Sequence, residues 1–417
     1  MGAVYPIQAV PQQPMTHRDT ACANVSEHHK SASFRSGRLG RFVTRIQIHE
    51  DFRAIPADQW DALVGDGSPF LEHAFLQGLI DHGCAVPDRG WAAHPITVWE
   101  DDRLVAAAPA WLTNHSMGEF VYDHAWANAA QRAGIPYYPK VVVAVPFTPV
   151  SGDRLLVAPG EDRFLRRTQL LAALTQLGEQ TSGLHLLFNP ARCAEQAQAE
   201  GLFSRAQYQF HWHNDGYGSM EDWLQAAFRS KARNKIRRER RDVRAEVDLD
   251  VVQAPSDAVI DAVYGFYTET CRQFGPWGRV YLTRDFIDHL ADVWGHRLHC
   301  VIARQNGRPV GGTLNVHKGP RLYGRYWGCT EAVRFLHFEV CYYQPIEWCI
   351  AQGIDVFEPG HGGGHKYRRG FRPEVTWSSH RLTHPGLHQA LKDHTEREVM
   401  AVRAEVDHLR AHQTKRA

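Results

Sequence analysis

Apolar and polar positions alternate from Thr44 to His49, then recur at helical spacing from Ala57 to Leu63 and from Leu71 to His82. The first pattern predicts a strand and the other two predict helices, because side chains alternate across a strand but return to one face of a helix every third or fourth position. Pro95 to Trp111 reads as a hairpin turning at Glu100-Asp101-Asp102, Phe164 to Gln180 as a helix, Leu184 to Phe188 as a buried strand, Ala191 to Ala199 as a helix and Gln207 to His213 as a strand. A second half begins near Ser219. Its pattern predicts helices at Met220 to Val243, Ser256 to Phe274, Thr283 to Trp294 and Leu336 to Ala351, with strands at His299 to Arg304, Val310 to Val316, Leu322 to Trp327 and Ile354 to Glu358. Leu391, Val399, Val402, Val406 and Leu409 form an imperfect stripe that predicts a C-terminal helix. Met1 to Arg41 has no periodicity and no signal-peptide pattern, and reads as a disordered extension. Strands interleaved with helices make the class α/β (α+β).

The chain also echoes itself. Asp102-Arg-Leu-Val-Ala-Ala107 matches Gly307-Arg-Pro-Val-Gly-Gly312; Gly118-Glu-Phe-Val-Tyr122 with Trp126 matches Gly319-Pro-Arg-Leu-Tyr323 with Trp327; Leu187-Phe-Asn-Pro190 matches Val356-Phe-Glu-Pro359. The shared order predicts a duplicated domain with pseudo-twofold symmetry, one copy over residues 42–218 and one over 219–385, flanked by the 1–41 extension and a 386–417 helix. Val105 should then superpose on Val310 and Tyr122 on Tyr323. A cleft between such halves is the default site.

Composition narrows the function. The 417 residues, 43% apolar and 22% charged, suit two or three ordinary globular domains. A net charge of +1 gives no whole-molecule field for nucleic acid or an anionic membrane, so any such contact is local. Apolar stretches such as Leu104 to Ala108 and Val141 to Val145 fall far short of the roughly 20 residues of a membrane helix. Eight cysteines without a Cys-x-x-Cys pair point to reduced, mostly buried thiols in a cytoplasm, and to neither a disulfide framework nor a zinc site.

Two segments carry candidate chemistry. Arg229 to Arg244 holds nine basic residues in sixteen. At helical spacing Phe228, Ala232, Ile236 and Val243 make an apolar stripe, beside a row of Arg229, Arg233, Arg237, Arg240 and Arg244 whose guanidinium forks suit phosphate oxygens. Lys231, Arg233 and Arg237 are expected to face a cleft and bind an anion; a solvated face with intrahelical pairing to Glu239 and Asp242 is the bland alternative. The second segment, Phe357-Glu-Pro-Gly-His-Gly-Gly-Gly-His-Lys-Tyr-Arg-Arg-Gly-Phe371, is a glycine-rich loop after a buried strand. Its glycines permit close ligand approach and Glu358, His365 and Lys366 offer acid, base and anion-binding groups, but it is neither a Walker loop nor a dinucleotide fingerprint. No metal is expected at either segment. Tyr323, Tyr326, Trp327, His337, Phe338, Tyr342 and Tyr343 make an aromatic belt interspersed with the polar residues Arg325, His337 and Glu339.

These motifs resemble the FemAB-like family of peptidoglycan biosynthesis or recognition proteins. The carriers include Pro69-Phe-Leu-Glu-His73, His115-Ser-x-Gly-Glu119, Tyr137-Tyr-Pro-Lys140, Lys235-Ile-Arg-Arg-Glu-Arg240, Leu322-Tyr-Gly-Arg-Tyr-Trp-Gly328, Leu336-His-Phe-Glu339 and the loop from Phe357 to Lys366. The resemblance implies a tandem pair of GNAT-type acyltransferase domains. It implies Glu358, Glu339, His337 and His365 as proton acceptors, and Arg325, Lys366, Tyr326, Tyr342, Lys140 and His115 among the substrate-binding residues. The family's loop reads Gly-Ala-Gln-Gly-Glu-His-Lys, whereas here it is Gly360-His-Gly-Gly-Gly-His-Lys366, so no role passes to the glutamate replaced by Gly364. Acetyl-CoA-type members carry a glycine-rich turn at a helix start to hold pyrophosphate; Cys329 to Glu339, where that turn belongs, contains no glycine, which disfavours ordinary CoA binding.

The implied activity is N-acyl or aminoacyl transfer to an amine of a cell-envelope precursor, either peptidoglycan or lipid. The donor is aminoacyl-tRNA, acyl-CoA or acyl carrier protein, and no bound cofactor is needed. One alternative is fatty acyl transfer from CoA or acyl carrier protein to an amine lipid such as a sphingoid base, with the aromatic belt as an acyl channel. Another is a non-catalytic binder of a phosphorylated glycan, lipid or RNA. The expected setting is cytoplasmic, peripheral at the inner membrane, with local contact to tRNA or a phosphorylated precursor.

Overall fold

Two prolines decide how the first half of the chain departs from the second. The computed structural model describes residues 43–275 and 278–414, so the 1–41 extension lies outside them. In chain order the first half contributes β1 (Thr44–Ile48), β2 (Trp91–Ala93), β3 (Ile96–Glu100), β4 (Arg103–Ala108), β5 (Ala110–Thr113), β6 (Lys140–Val143), β7 (Leu156–Val157), β8 (Gly183–Asn189) and β9 (Phe203–His213). The second adds β10 (Asp248–Gln253), β11 (Leu298–Gln305), β12 (Arg308–Lys318), β13 (Arg321–Cys329), β14 (Val356–Glu358) and β15 (Arg372–Leu382). Each half contains a strand, two helices and a hairpin in the same order, namely β1, Ala57–Val64, His73–Asp81, β3 and β4, and, after the helices Met220–Ala227 and Ser230–Arg244, β10, Asp257–Gln273, Arg284–Trp294, β11 and β12. In the second half β11 and β12 run unbroken. In the first, Pro95 and Pro109, which cannot donate to a ladder, divide the corresponding stretch into β2 and β3 and into β4 and β5. The pieces then part: β3 and β4 join a four-stranded sheet in the order β1-β3-β4-β7, while β2 and β5 end an eleven-stranded sheet in the order β10-β11-β12-β13-β14-β9-β15-β8-β6-β5-β2.

The echo is visible as a shared defect. The β3–β4 register slips between Val98 and Trp99, leaving Val105 as an extra residue on β4; the β11–β12 register slips between Ala303 and Arg304, leaving Val310 as the extra residue on β12. Each bulged valine offers its carbonyl to the next segment, Val105 to the Ala158 N–H and Val310 to the Thr330 N–H, both at 2.9 Å. Val105 and Val310 are therefore equivalent. The same pairing makes β7 the counterpart of the end of β13, so the match of Tyr122 to Tyr323 fails. Tyr122 lies half exposed in a loop with φ +53°, whereas Tyr323 is buried in β13. The cause is the excursion from Asn114 to Arg154, which the second half lacks.

The halves share a core. Phe70, Phe75, Leu76 and Leu79 pack with Phe286, Leu290, Trp294 and Tyr323 in one buried cluster. Glu72 reaches across as well, accepting from Trp294 Nε1 at 3.0 Å and from Arg297 and Lys318 at 2.7 Å. By their contacts the described residues form one unit.

Local chemistry explains two departures from the expected helices. Met220 to Val243 is two helices, Met220–Ala227 and Ser230–Arg244, because Phe228 turns extended to bury its ring edge-on against Trp223. The helix after β13 widens into a π turn over Glu339–Tyr343 before it resumes at Gln344. Pro345 follows directly; it has no N–H for the carbonyl four residues back, and the wider turn relieves the clash that its ring would make there. All seven described cysteines are free thiols, and no described helix is long and apolar enough to cross a membrane.

Candidate active site

The second half supplies a crevice by strand geometry alone. β13 and β14 are parallel and stay in register only from Arg321–Val356 to Tyr323–Glu358. β13 then continues to Cys329 while the chain leaves β14 through Pro359 and the glycine loop. A Cβ on Gly324 would lie 3.1 Å from Pro359 Cα, so the missing side chain lets the loop start flush against β13. Gly360, Gly362 and Gly363 all have positive φ, and the chain folds back to place His365 and Lys366 beside the π turn.

A ring cluster results. Tyr342 Oη and His365 Nε2 are 2.8 Å apart; the His337 ring lies 5.6 Å from that of His365, 5.2 Å from Tyr342 and 4.5 Å from Trp327. Burial drives both imidazoles toward neutrality, with neighbouring positive charge adding to it: His337 falls to about 3 and His365 to about 4. Lys366 is 3% exposed and donates to the carbonyls of Gly360 at 2.6 Å and His361 at 3.4 Å. No carboxylate pairs with it among the described residues, and burial pushes its ammonium down to about 7. A buried amine poised near neutrality beside two neutral imidazoles is equipped to move a proton.

The other expected groups sit elsewhere. Strand alternation turns Phe357 toward the core beneath Tyr342 and Ile346, and Glu358 toward the opposite face, with Tyr323. There Glu358 accepts from Arg321 at 2.7 Å, and its second oxygen lies 3.8 Å from His211 Nε2. Arg325 shares this face, donating to the Phe147 carbonyl at 2.8 Å and Thr148 Oγ1 at 3.1 Å while stacking 4.8 Å over Phe70. Tyr326 accepts from Arg325 at 3.2 Å and packs on Tyr267. Glu339 is 1% exposed and is held by Arg240, Arg244 and Gln344. It ties the basic helix to the π turn and leaves the ring cluster to its neighbours. His361, on the same loop as His365, faces the first half, between Gln209, Phe120 and Tyr122.

First-half residues fall into internal networks. Lys140 is fully buried and donates to Ser116 and Glu119 at 2.9 Å and to Asp123 at 2.5 Å. Burial opposes its charge, but the two carboxylates outweigh it and raise its pKa, while burial lifts Glu119 to about 8. His115 commits both ring nitrogens, one to the Arg89 carbonyl at 2.8 Å and one to the Met117 N–H at 3.2 Å. On the basic helix Arg233 donates to the Phe228 carbonyl at 2.7 Å and Arg237 pairs with Glu221, whereas Lys231 lines an open groove. Reading the sequence missed Arg321, the carboxylate partners of Lys140, and three aromatic residues at the junction of the halves, Phe120, Tyr122 and Phe147, all in the left-handed region that bulky side chains avoid. Glu119 falls within the His115 to Glu119 motif, and Phe120, Tyr122 and Arg321 within the internal echo, but their pairings carry no sequence signal, since each depends on a partner distant in the chain. Among the described residues no group of three His, Cys, Asp or Glu is placed to hold a metal.

A tandem, GNAT-type acyltransferase architecture accounts for the parting strands, the repeated hairpin and the shared core. The chain belongs to the FemAB-like family, described as peptidoglycan biosynthesis/recognition, which it matches over residues 51–417. Its fold is similar to that of FemX, with a TM-score of 0.50 and 10% identity over 81% of this chain and 98% of that one. Other similar structures are a tandem GNAT protein from the clavulanic acid biosynthesis pathway (TM-score 0.43, 13% identity, 82% and 99% covered) and the C-terminal domain of a putative lysylphosphatidylglycerol synthetase from Agrobacterium fabrum (TM-score 0.46, 10% identity, 69% and 84% covered). No curated protein matches the sequence. Family and fold make the protein an acyltransferase.

Proposed function

We propose that the protein transfers an activated acyl or aminoacyl group to an amine of a cell-envelope precursor, in the crevice where β13 and β14 part. The observation that carries this reading is Lys366, a buried amine without a carboxylate partner among the described residues, held near neutrality beside His337, Tyr342 and His365. The acceptor amine attacks the carbonyl carbon only after losing its proton, because an ammonium has no lone pair. That first proton goes to solvent; as the C–N bond forms, neutral Lys366 takes the second proton, which the attacking nitrogen must shed to become an amide, and the bond from the carbonyl carbon to the donor's sulfur or oxygen breaks. The leaving group is then protonated by the lysine ammonium, which returns Lys366 to its starting state. The His365–Tyr342 pair offers hydrogen bonds where charge develops on the carbonyl oxygen. Glu358 and Arg325, on the other face, are assigned to positioning the acceptor against the first half.

The test compares mass spectra of envelope precursors and lipids from cells with the gene intact, deleted, or carrying Lys366→Met. An acylated amine product should appear only with the intact gene, and the variant should lower its formation by on the order of a hundred- to ten-thousand-fold. The pH profile of kcat/KM should rise through about 7. Turnover within a few fold of the parent in Lys366→Met would remove the lysine as base.

A further inference from the structure

A large groove lies outside the acyl-transfer crevice. It has a volume of about 1640 Å³ between the start of the Ser230–Arg244 helix, the end of β9 and the end of the C-terminal helix Pro385–Thr414. Seven basic side chains line it against two carboxylates, Asp215 and Glu374. Those two are already committed, Asp215 to Arg372 and Glu374 to Arg410. Lys231, Arg238 and Arg368 have no carboxylate within 4 Å among the described residues, and Lys235 only approaches Glu239 at 3.8 Å. The floor is apolar, made by Ala226, Ala227, Ala232, Trp223 and Phe228.

We propose that this groove docks an anionic phospholipid at a bilayer surface, its phosphate on Lys231, Lys235 and Arg238 and the first part of its chain on the alanine floor. Charge complementarity calls for an anion, and the floor selects the kind. A nucleic acid strand would need open aromatic faces for its bases. Here Trp223 and Phe228 are buried and meet each other edge to face at 5.4 Å and 82°, and both are covered by Gly370, where a Cβ would lie 3.0 Å from each ring. The other two rings of the lining, Tyr217 and Tyr367, are partly buried and tied by their hydroxyls to Asp215 and the Leu409 carbonyl, so methyl groups and ring edges make the floor, which suits an acyl chain better than a stacked base. The basic helix is fixed for such a task, because Glu239 and Arg240 anchor its inner face to Tyr343, Arg369 and Glu339 while its lysines stay outside. The proposal does not depend on the identity of the transferred group.

The experiment is flotation of the full-length protein with phosphatidylcholine vesicles, with and without added phosphatidylglycerol. Binding should require the anionic lipid. Each basic group near such a surface contributes on the order of fivefold in partitioning, so Lys231→Gln, Lys235→Gln and Arg238→Gln together should lower it roughly a hundredfold. Ala226→Glu, which leaves these cations in place, should also weaken it, and thermal melts should show all variants folded. Three results would overturn the proposal: vesicle binding unchanged in the triple variant, competition by glycerol phosphate as strong as by the lipid itself, or a single-stranded RNA bound through the three residues while vesicles are ignored.

Discussion

Lys366 is the residue whose chemistry is most exposed to test. Its folded pKa of about 7 lies below the unfolded value near 10.5, so between those two pH values the unfolded chain binds the extra proton. Stability therefore rises with pH across that window, and the full cost of burying the ammonium is present below about pH 7. Lys366→Met removes that cost together with the hydrogen bonds to Gly360 and His361. The variant is expected to gain stability over the parent at pH 6 and to lose that advantage progressively toward pH 10, as followed by denaturant melts at each pH. A variant less stable at pH 6 than at pH 9, relative to the parent, would contradict the assignment. Both outcomes together would mark a group retained for function at a cost in stability. The sequence marked Lys366 and His365 through the glycines around them, whereas Arg321 was invisible, because nothing near it in the chain announces that β14 will run alongside.

At the scale of elements, helices and hairpins with local signals were legible. Asp162 caps the Arg163–Glu179 helix by accepting from the Phe164 and Leu165 N–H groups, and Thr283 caps Arg284–Trp294 in the same way. β15 was not legible, although it runs eleven residues through the middle of the large sheet. Its buried positions include Ser378, Ser379 and His380, polar residues with no apolar alternation to mark a strand; Asn189 and His185 of β8 bond Ser379 and His380, and His380 in turn bonds Ser378. The π turn was equally hidden, and its charge network allows a clear separation of roles. Glu339→Gln leaves Arg240 buried beside a neutral amide with only the half-exposed Glu347 to answer it. It should destabilise the protein by on the order of 3 kcal/mol, and Glu339→Gln with Arg240→Met should recover much of that loss. Turnover per folded molecule should change only a few fold in the single variant, measured beside Lys366→Met. A loss of a hundredfold in folded Glu339→Gln would return that carboxylate to the list of bases.

For the molecule as a whole, the repeat in the sequence suggests two domains that could live apart, and the strand order says otherwise. β9 closes the first half in sequence, yet its neighbours in the sheet are β14 and β15; β15 closes the second half, yet it lies between β9 and β8. Each half thus completes the other's sheet, and Phe70 and Glu72 seal the exchange by packing against Trp294 and Tyr323 and pairing with Arg297 and Lys318. Cutting the chain between β9 and β10 would expose both long edges of β9 and of β15, with their unpaired N–H and C=O groups, along with half of a shared apolar core. Residues 43–218 expressed alone should therefore aggregate or stay unfolded. The intact protein should melt in one calorimetric transition whose van't Hoff and calorimetric enthalpies agree, the mark of a single cooperative unit. Two resolved transitions, or a folded monomeric 43–218 fragment, would show that the halves are independent and that the exchange of β15 is an accessory to the fold. The crevice proposed for acyl transfer gains from this arrangement, because the loop carrying His361, His365 and Lys366 is bounded by β14 before it and β15 after it, and both are held by β9 of the first half. A ligand that draws the halves together there can reach His361 on one face and Lys366 on the other through a loop of a few residues.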